Sequence, residues 1–206
     1  FSAPRGGRNT LHQAAVFACR GQVMWNVSRY RIGARLMTGF GCTLLAADPT
    51  PNPACVAMGV QYVPLPELLA RSDVVSLHVR LNGDTRGLVT ADDLGRMKPT
   101  AVLVNTSRAE LVAPGALVDA LKAGRPGFAA VDVYEEEPVL GCSHPLLNLP
   151  NALCTPHLGY VERDNFERYF GTAFDNINRY ATGEPVNVVN QEALNSIFTK
   201  HTLGKK

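Results

Sequence analysis

AVLVNTSRAE, residues 101–110, places four apolar residues directly before a polar loop that carries Arg108. Two later stretches repeat this arrangement: FAAVDVYEEEP carries Glu137, and ALCTPH ends at His157. Short apolar runs of this kind are typical of strands buried in a parallel sheet. In an open parallel sheet, ligands bind in the crevice beyond the carboxyl ends of the strands. We therefore expect the arginine, the glutamate and the histidine to converge on one crevice.

Strand-like and helix-like segments alternate along the chain. Apolar runs predict strands at residues 22–27, 43–47, 74–79, 101–104, 128–133 and 152–154. Apolar spacing, together with proline and glycine at the ends, predicts helices at residues 64–71, 92–97, 114–122 and about 162–180. This alternation predicts an α/β fold, a doubly wound parallel sheet covered by helices on both faces.

The composition is that of an ordinary globular protein. The 206 residues are 46% hydrophobic and 18% charged, with a net charge of +2, which suits one α/β domain, alone or with a small appendage. No basic stripe indicates nucleic acid, no apolar run approaches the roughly 20 residues of a membrane span, and no signal-peptide pattern is seen. The five cysteines are odd in number and lack metal-ligand spacing, so we expect reduced thiols, no metal and a cytoplasmic location.

From about Arg31 to Asn190 the chain resembles the nucleotide-binding domain of the D-isomer-specific 2-hydroxyacid dehydrogenases, nearest to the phosphoglycerate dehydrogenase-like members. The blocks that carry the resemblance are, in chain order, RIGARLM, FGCTLLAADP, LPELLARSDVVSLHVRL, DTRGLV, MKPTAVLVNTSRAELV, ALVDALKAG, AAVDVYEEEP, HPLLNLPNALCTPHLGY and GEPVNVVN. The resemblance implies a Rossmann-like fold, a homodimer, and an NAD-dependent oxidoreductase. Such an enzyme transfers a hydride between the nicotinamide and a small D-2-hydroxy acid or 2-keto acid, with a phosphoglycerate-like substrate among the candidates.

The same resemblance implies roles for the three polar residues. Arg108 would bind the substrate carboxylate, for which its planar fork of donors is suited. His157 would exchange the hydroxyl proton, since histidine titrates near working pH. Glu137 would pair with that histidine, favour the imidazolium and fix the orientation of its ring. The neighbouring Glu135 and Glu136 would be solvated.

The cofactor prediction is NAD. Asp48 lies at the end of the second predicted strand. A carboxylate at this position binds the adenosine ribose hydroxyls and disfavours the 2′-phosphate of NADP. Asp132 matches a position that faces the nicotinamide in the family, although a strand-end aspartate can instead bond local backbone amides. The remaining residues that the resemblance assigns to the cofactor are Arg31, Ile32, Gly33 and Thr106.

The glycine loop departs from the family pattern. With Gly33 as the third glycine of G-x-G-x-x-G, the first two glycine positions hold Ser28 and Tyr30. Those glycines serve the tight turn and the close approach of backbone to pyrophosphate, so a tyrosine there would occupy phosphate space. Three explanations stay open: the loop has drifted with loss of cofactor binding, it is rebuilt around a differently posed nucleotide, or the segment before Arg31 is misassigned.

The predicted organisation is a dinucleotide-binding domain at residues 21–185, preceded by an unplaced segment at 1–20 and followed by a tail at 186–206. By comparison with the family, we expect the chain to lack most of the substrate-binding domain, whose closure completes such a site. A second functional class therefore stays open, a non-catalytic nucleotide-sensing or protein-interaction module, as in the dehydrogenase-like corepressors. The three retained site residues favour the enzyme; the altered glycines and the lacking lid favour the module.

Overall fold

The structure, a computed structural model, describes residues 13–18 as backbone and residues 41–192 in full. Within these residues the strands are β1 (Gln13–Ala18), β2 (Thr43–Ala47), β3 (Gln61–Tyr62), β4 (Val74–Leu77), β5 (Val102–Asn105), β6 (Phe128–Val131) and β7 (Ala152–Cys154). They form one sheet in the order β3-β2-β1-β4-β5-β6-β7, and every neighbouring pair is parallel. The chain winds outward from β1 in one direction to β3 and then in the other direction from β4 to β7. This doubly wound, Rossmann-like order confirms the predicted fold class.

Helices connect or follow the strands. Those of the described residues are α1 (Pro53–Val56), α2 (Leu65–Arg71), α3 (Ala91–Gly95), α4 (Ala116–Ala123) and α5 (Arg163–Ala181). Helix α4 ends at Gly124, as predicted, because that glycine takes the left-handed conformation (φ 77°) that closes a helix. The chain divides into two units at Gly159 and Tyr160, so the sheet belongs to the first unit and α5 to the second.

The hydrophobic core of the first unit lies between the sheet and its helices. In β4 and β5 buried residues alternate with half-buried ones, which is the two-residue period of a strand. Its members include leucines of β2, β4, β5 and of helices α2, α3 and α4: Leu45, Leu68, Leu69, Leu77, Leu94, Leu103 and Leu121. Packing at this level of burial holds the strand ends, and hence the loops that follow them, in place.

Most predicted elements are found, with ends displaced by one or two residues. The predicted strands at 43–47 and 152–154 coincide with β2 and β7. The strands predicted at 74–79 and 128–133 end two residues early, since the chain leaves the sheet there to build loops. The strand predicted at 22–27 lies outside the described residues, and β1 occupies the sheet position between β2 and β4.

Candidate functional site

His157 and Glu137 meet at the carboxyl edge of the sheet. Nδ1 of His157 lies 2.6 Å from Oε2 of Glu137, and the two side chains are 32% and 33% exposed. His157 follows β7 and Glu137 follows β6, and these two strands pair in parallel, so their carboxyl ends open at the same edge. The structure therefore brings two of the three predicted polar residues into direct contact.

The carboxylate of Glu137 is held at both oxygens. Its Oε1 accepts a hydrogen bond of 2.8 Å from the backbone N–H of Tyr134. Burial by itself would raise the pKa of Glu137, but the bonds from His157 and Tyr134 and the positive charges of His157 and Arg108 bring that pKa below its usual value. An ionised carboxylate accepts only, so Nδ1 of the histidine carries the shared proton.

The loop that carries His157 is held by Asp132, which directly follows β6 and is only 4% exposed. Its Oδ1 accepts bonds from the hydroxyl of Thr155 at 2.5 Å and the backbone N–H of Leu158 at 2.8 Å, and its Oδ2 accepts from the N–H of Gly159 at 2.7 Å. Burial opposes its ionisation, yet these hydrogen bonds and the charge of His157 lower the pKa of Asp132 overall. One buried carboxylate thus grips the loop on both sides of the histidine.

These bonds bear on the role expected of Asp132. Both of its oxygens are engaged by the loop, so the local alternative, a strand-end residue that bonds backbone amides, is what the structure shows. Contact between Asp132 and a nicotinamide stays a prediction.

Arg108 follows β5 and is exposed. Its loop is shaped by Asn105, 2% exposed, whose amide accepts from the N–H of Ser107 and donates to the carbonyl of Arg108. Ser107 in turn donates to the carbonyl of Val79 at 2.8 Å, which ties this loop to the one after β4. The guanidinium of Arg108 donates to the Ser107 carbonyl at 2.6 Å, and its charge contributes to the low pKa of Glu137 without a hydrogen bond to it. Thr106 is exposed in the same loop.

Asp48 follows β2, as the resemblance requires of a ribose-binding carboxylate. Its Oδ1 accepts from the N–H of Thr50 at 2.8 Å, and its Oδ2 has no hydrogen bond within the described part of the chain. A half-buried carboxylate with one unengaged oxygen fits a ribose hydroxyl. The predicted cofactor residues Arg31, Ile32 and Gly33, with the altered positions Ser28 and Tyr30, lie outside the described residues.

Sequence reasoning missed Tyr134 and His144. The phenol of Tyr134 donates to the carbonyl of Thr155 at 3.0 Å, and its ring packs edge-on to the ring of His144. His144 pairs with Glu135 at 2.9 Å, so Glu135 is not simply the solvated neighbour that was expected. The available signal was Tyr134 itself, an aromatic residue that continues the apolar run FAAVDV into a polar loop.

Neither a metal centre nor a membrane span is found in the part of the chain that the structure describes. No three of its His, Cys, Asp and Glu side chains cluster as metal ligands. None of its helices combines the length and the apolar character needed to cross a bilayer.

Residues 31–159 match the family model of the D-isomer specific 2-hydroxyacid dehydrogenase NAD binding domain. The chain is 36% identical over 174 residues to hydroxypyruvate reductase of Blautia hydrogenotrophica, covering 83% of this chain and 54% of that relative. It is 40% identical over 179 residues to glyoxylate reductase of Korarchaeum cryptofilum, covering 84% of this chain and 54% of that relative. The chain therefore spans about half the length of the curated relatives it matches.

The fold is also that of solved relatives. The structure of phosphoglycerate oxidoreductase from Vibrio cholerae superposes with a TM-score of 0.72 at 42% identity, covering 86% of this chain and 55% of that one.

Proposed function

Because the chain belongs to the D-isomer-specific 2-hydroxyacid dehydrogenase family and carries its NAD-binding domain, we propose that the protein is an NAD-dependent oxidoreductase. It interconverts a small D-2-hydroxy acid and the corresponding 2-keto acid. The observation that carries the proposal is the contact of 2.6 Å between His157 and Glu137 at the carboxyl edge of the sheet. A histidine whose ring is oriented by a carboxylate is well suited to general acid–base catalysis.

Each residue of the proposed site has one task. Since Nδ1 of His157 faces Glu137, the proton is exchanged with substrate at Nε2. In the oxidation direction this nitrogen takes the hydroxyl proton of the 2-hydroxy acid, and in the reduction direction it protonates the ketone oxygen. The ionised Glu137 stabilises the imidazolium that forms.

Arg108 binds the substrate carboxylate. Its exposed guanidinium donates a hydrogen bond to the Ser107 carbonyl of its own loop. A substrate carboxylate would replace this single acceptor oxygen with two. The loop itself is held by Asn105 and Ser107, so the arginine projects from a fixed backbone.

Asp48 and the segment Arg31, Ile32 and Gly33 are among the residues that would hold NAD. When bound, NAD supplies the hydride acceptor for oxidation and, in its reduced form, the hydride donor for reduction. The carboxylate of Asp48 favours NAD over NADP because a 2′-phosphate would bring a second negative charge against it.

The substrate class is a short 2-keto acid. Two relatives are named for glyoxylate and hydroxypyruvate, which are 2-keto acids of two and three carbons, and a solved relative is named for phosphoglycerate. The test is a screen of the intact protein with glyoxylate, hydroxypyruvate and 3-phosphohydroxypyruvate, following NADH consumption, with NADPH in parallel. We expect turnover of at least one of them and a preference for NADH.

Saturable NADH binding without turnover of any of these acids would instead favour the nucleotide-sensing or interaction module.

The family resemblance also leads us to propose a cytoplasmic homodimer. Light scattering measures the mass of the assembly, and a monomeric mass would contradict the dimer.

A further inference from the structure

Tyr134 lies between the two loops that carry the proposed acid–base pair. It follows β6 by three residues and is 8% exposed. Its backbone N–H donates to Oε1 of Glu137 at 2.8 Å, and its hydroxyl donates to the carbonyl of Thr155 at 3.0 Å. One residue therefore bonds the loop of the glutamate at one end and the loop of the histidine at the other.

The carbonyl of Thr155 is the group through which the hydroxyl acts on His157. It also accepts the backbone N–H of His157, at 3.0 Å. His157 has a φ of 55°, in the left-handed region that residues other than glycine rarely adopt. Such a conformation persists only where its surroundings enforce it. Asp132 holds the backbone after the histidine, and Tyr134 holds the carbonyl before it.

The ring of Tyr134 packs against the ring of His144, which holds it in place. The two ring centroids lie 5.0 Å apart, and the ring planes are inclined by 66°. Nδ1 of His144 accepts from the N–H of Leu146, so Nε2 carries the proton and donates to Glu135 at 2.9 Å. Burial raises the pKa of the Tyr134 phenol, which keeps the hydroxyl protonated as a donor.

We propose that Tyr134 is a positioning residue for the acid–base pair, its hydroxyl fixing the Thr155 carbonyl and with it the orientation of His157 against Glu137. This inference rests on the proposed function. Removal of the hydroxyl would let the histidine turn away from the glutamate while the aromatic ring stays packed. The proton transfer would then slow, whereas binding of the acid through Arg108 would be preserved.

The test compares Tyr134→Phe with Tyr180→Phe, a control that removes an exposed hydroxyl from α5. In Tyr134→Phe we expect kcat to fall about 10-fold with KM for the keto acid changed by less than about two-fold. A second readout is the titration of the Glu137 carboxyl by carbon NMR. Because the bond from His157 helps to lower the pKa of Glu137, that pKa should rise toward the ordinary value of 4.5 in the variant. The Tyr180→Phe control should change neither the kinetic constants nor the pKa of Glu137.

The two readouts separate this inference from the proposed function. If the intact protein turns over none of the acids, the proposed function fails, and the titration alone decides the inference: a raised pKa of Glu137 supports it and an unchanged one overturns it. If the protein is active, an unchanged kcat in Tyr134→Phe overturns it. Should Tyr134→Phe fail to fold, His144→Gln, which removes the ring that braces Tyr134, gives the decision by the same two readouts.

Discussion

At His157 the backbone conformation and the chemistry of the side chain are linked. The left-handed φ of 55° turns the chain sharply after Pro156 and directs the ring toward Glu137. Such a backbone costs roughly 1–3 kcal/mol, and at this position it is held by hydrogen bonds on both sides of the histidine. The strained backbone of His157 therefore helps to bring its imidazole into contact with the Glu137 carboxylate.

Arg108→Ala should weaken binding of the acid more than it slows proton transfer. A charged hydrogen bond contributes about 1.5–3 kcal/mol, so KM for the 2-keto acid should rise about 10- to 100-fold, with a smaller change in kcat. Steady-state kinetics measures both, and Arg168→Ala, at an exposed position of α5, is the matched control. A variant with wild-type KM would remove Arg108 from the substrate site.

Glu137→Gln should make the free energy of unfolding less dependent on pH below about pH 4.5. The pKa of Glu137 is lower in the folded than in the unfolded chain, so its stabilising contribution is present above about pH 4.5 and is lost as pH falls through the folded value. Urea unfolding between about pH 7 and pH 3 should show a steeper loss below pH 4.5 for wild type than for the variant. Asp132 leaves some slope in both, because its pKa is also lowered.

The control for this profile is Glu136→Gln, which removes an adjacent exposed carboxylate that has no hydrogen bond in the described residues. Its curve should follow that of wild type. Parallel curves for wild type and Glu137→Gln would show that the pairing with His157 does not stabilise the folded chain.

Among the elements, those that the sequence predicted best are the strands bounded on both sides by polar or turn residues. The first and last residues of β2 and β7 were predicted correctly, because each is a short apolar run that ends at a polar or small residue. The two residues of β3 and the four of α1 were not predicted, because neither is long enough to show a period.

The loop between β7 and α5 depends on Asp132. Replacement by alanine removes three hydrogen bonds and takes away the carboxylate to which the backbone N–H groups of Leu158 and Gly159 donate. We expect Asp132→Ala to lower the free energy of unfolding by about 2–4 kcal/mol, measured by urea denaturation. Asp119→Ala, on the exposed face of α4, is the control and should change it by less than about 0.5 kcal/mol. An unfolding free energy equal to that of wild type would mean that the loop does not need this carboxylate.

At the scale of the whole molecule, the parallel sheet explains why part of the site could be predicted. Residues that follow neighbouring parallel strands must emerge at the same edge, so the approach of Glu137 and His157 follows from the order of β6 and β7. For Asp132 the sequence left open a bond to local backbone amides, which the structure shows, whereas the bracing by Tyr134 could not be predicted, since it depends on loop conformations and on individual hydrogen bonds. Arg31, Ile32 and Gly33 lie outside the described residues, so their contact with a cofactor stays a prediction.

The measurement that bears most directly on the proposed reaction is kcat for NADH-dependent reduction of the preferred 2-keto acid by the intact protein and by His157→Asn. Asparagine tolerates the left-handed backbone, so the variant removes the imidazole with little change in the loop. With His157 as the proton donor, kcat should fall by about 10²- to 10⁴-fold while the affinity for NADH stays within about two-fold. Equal kcat in the two proteins would contradict the assignment of His157 as the acid–base residue.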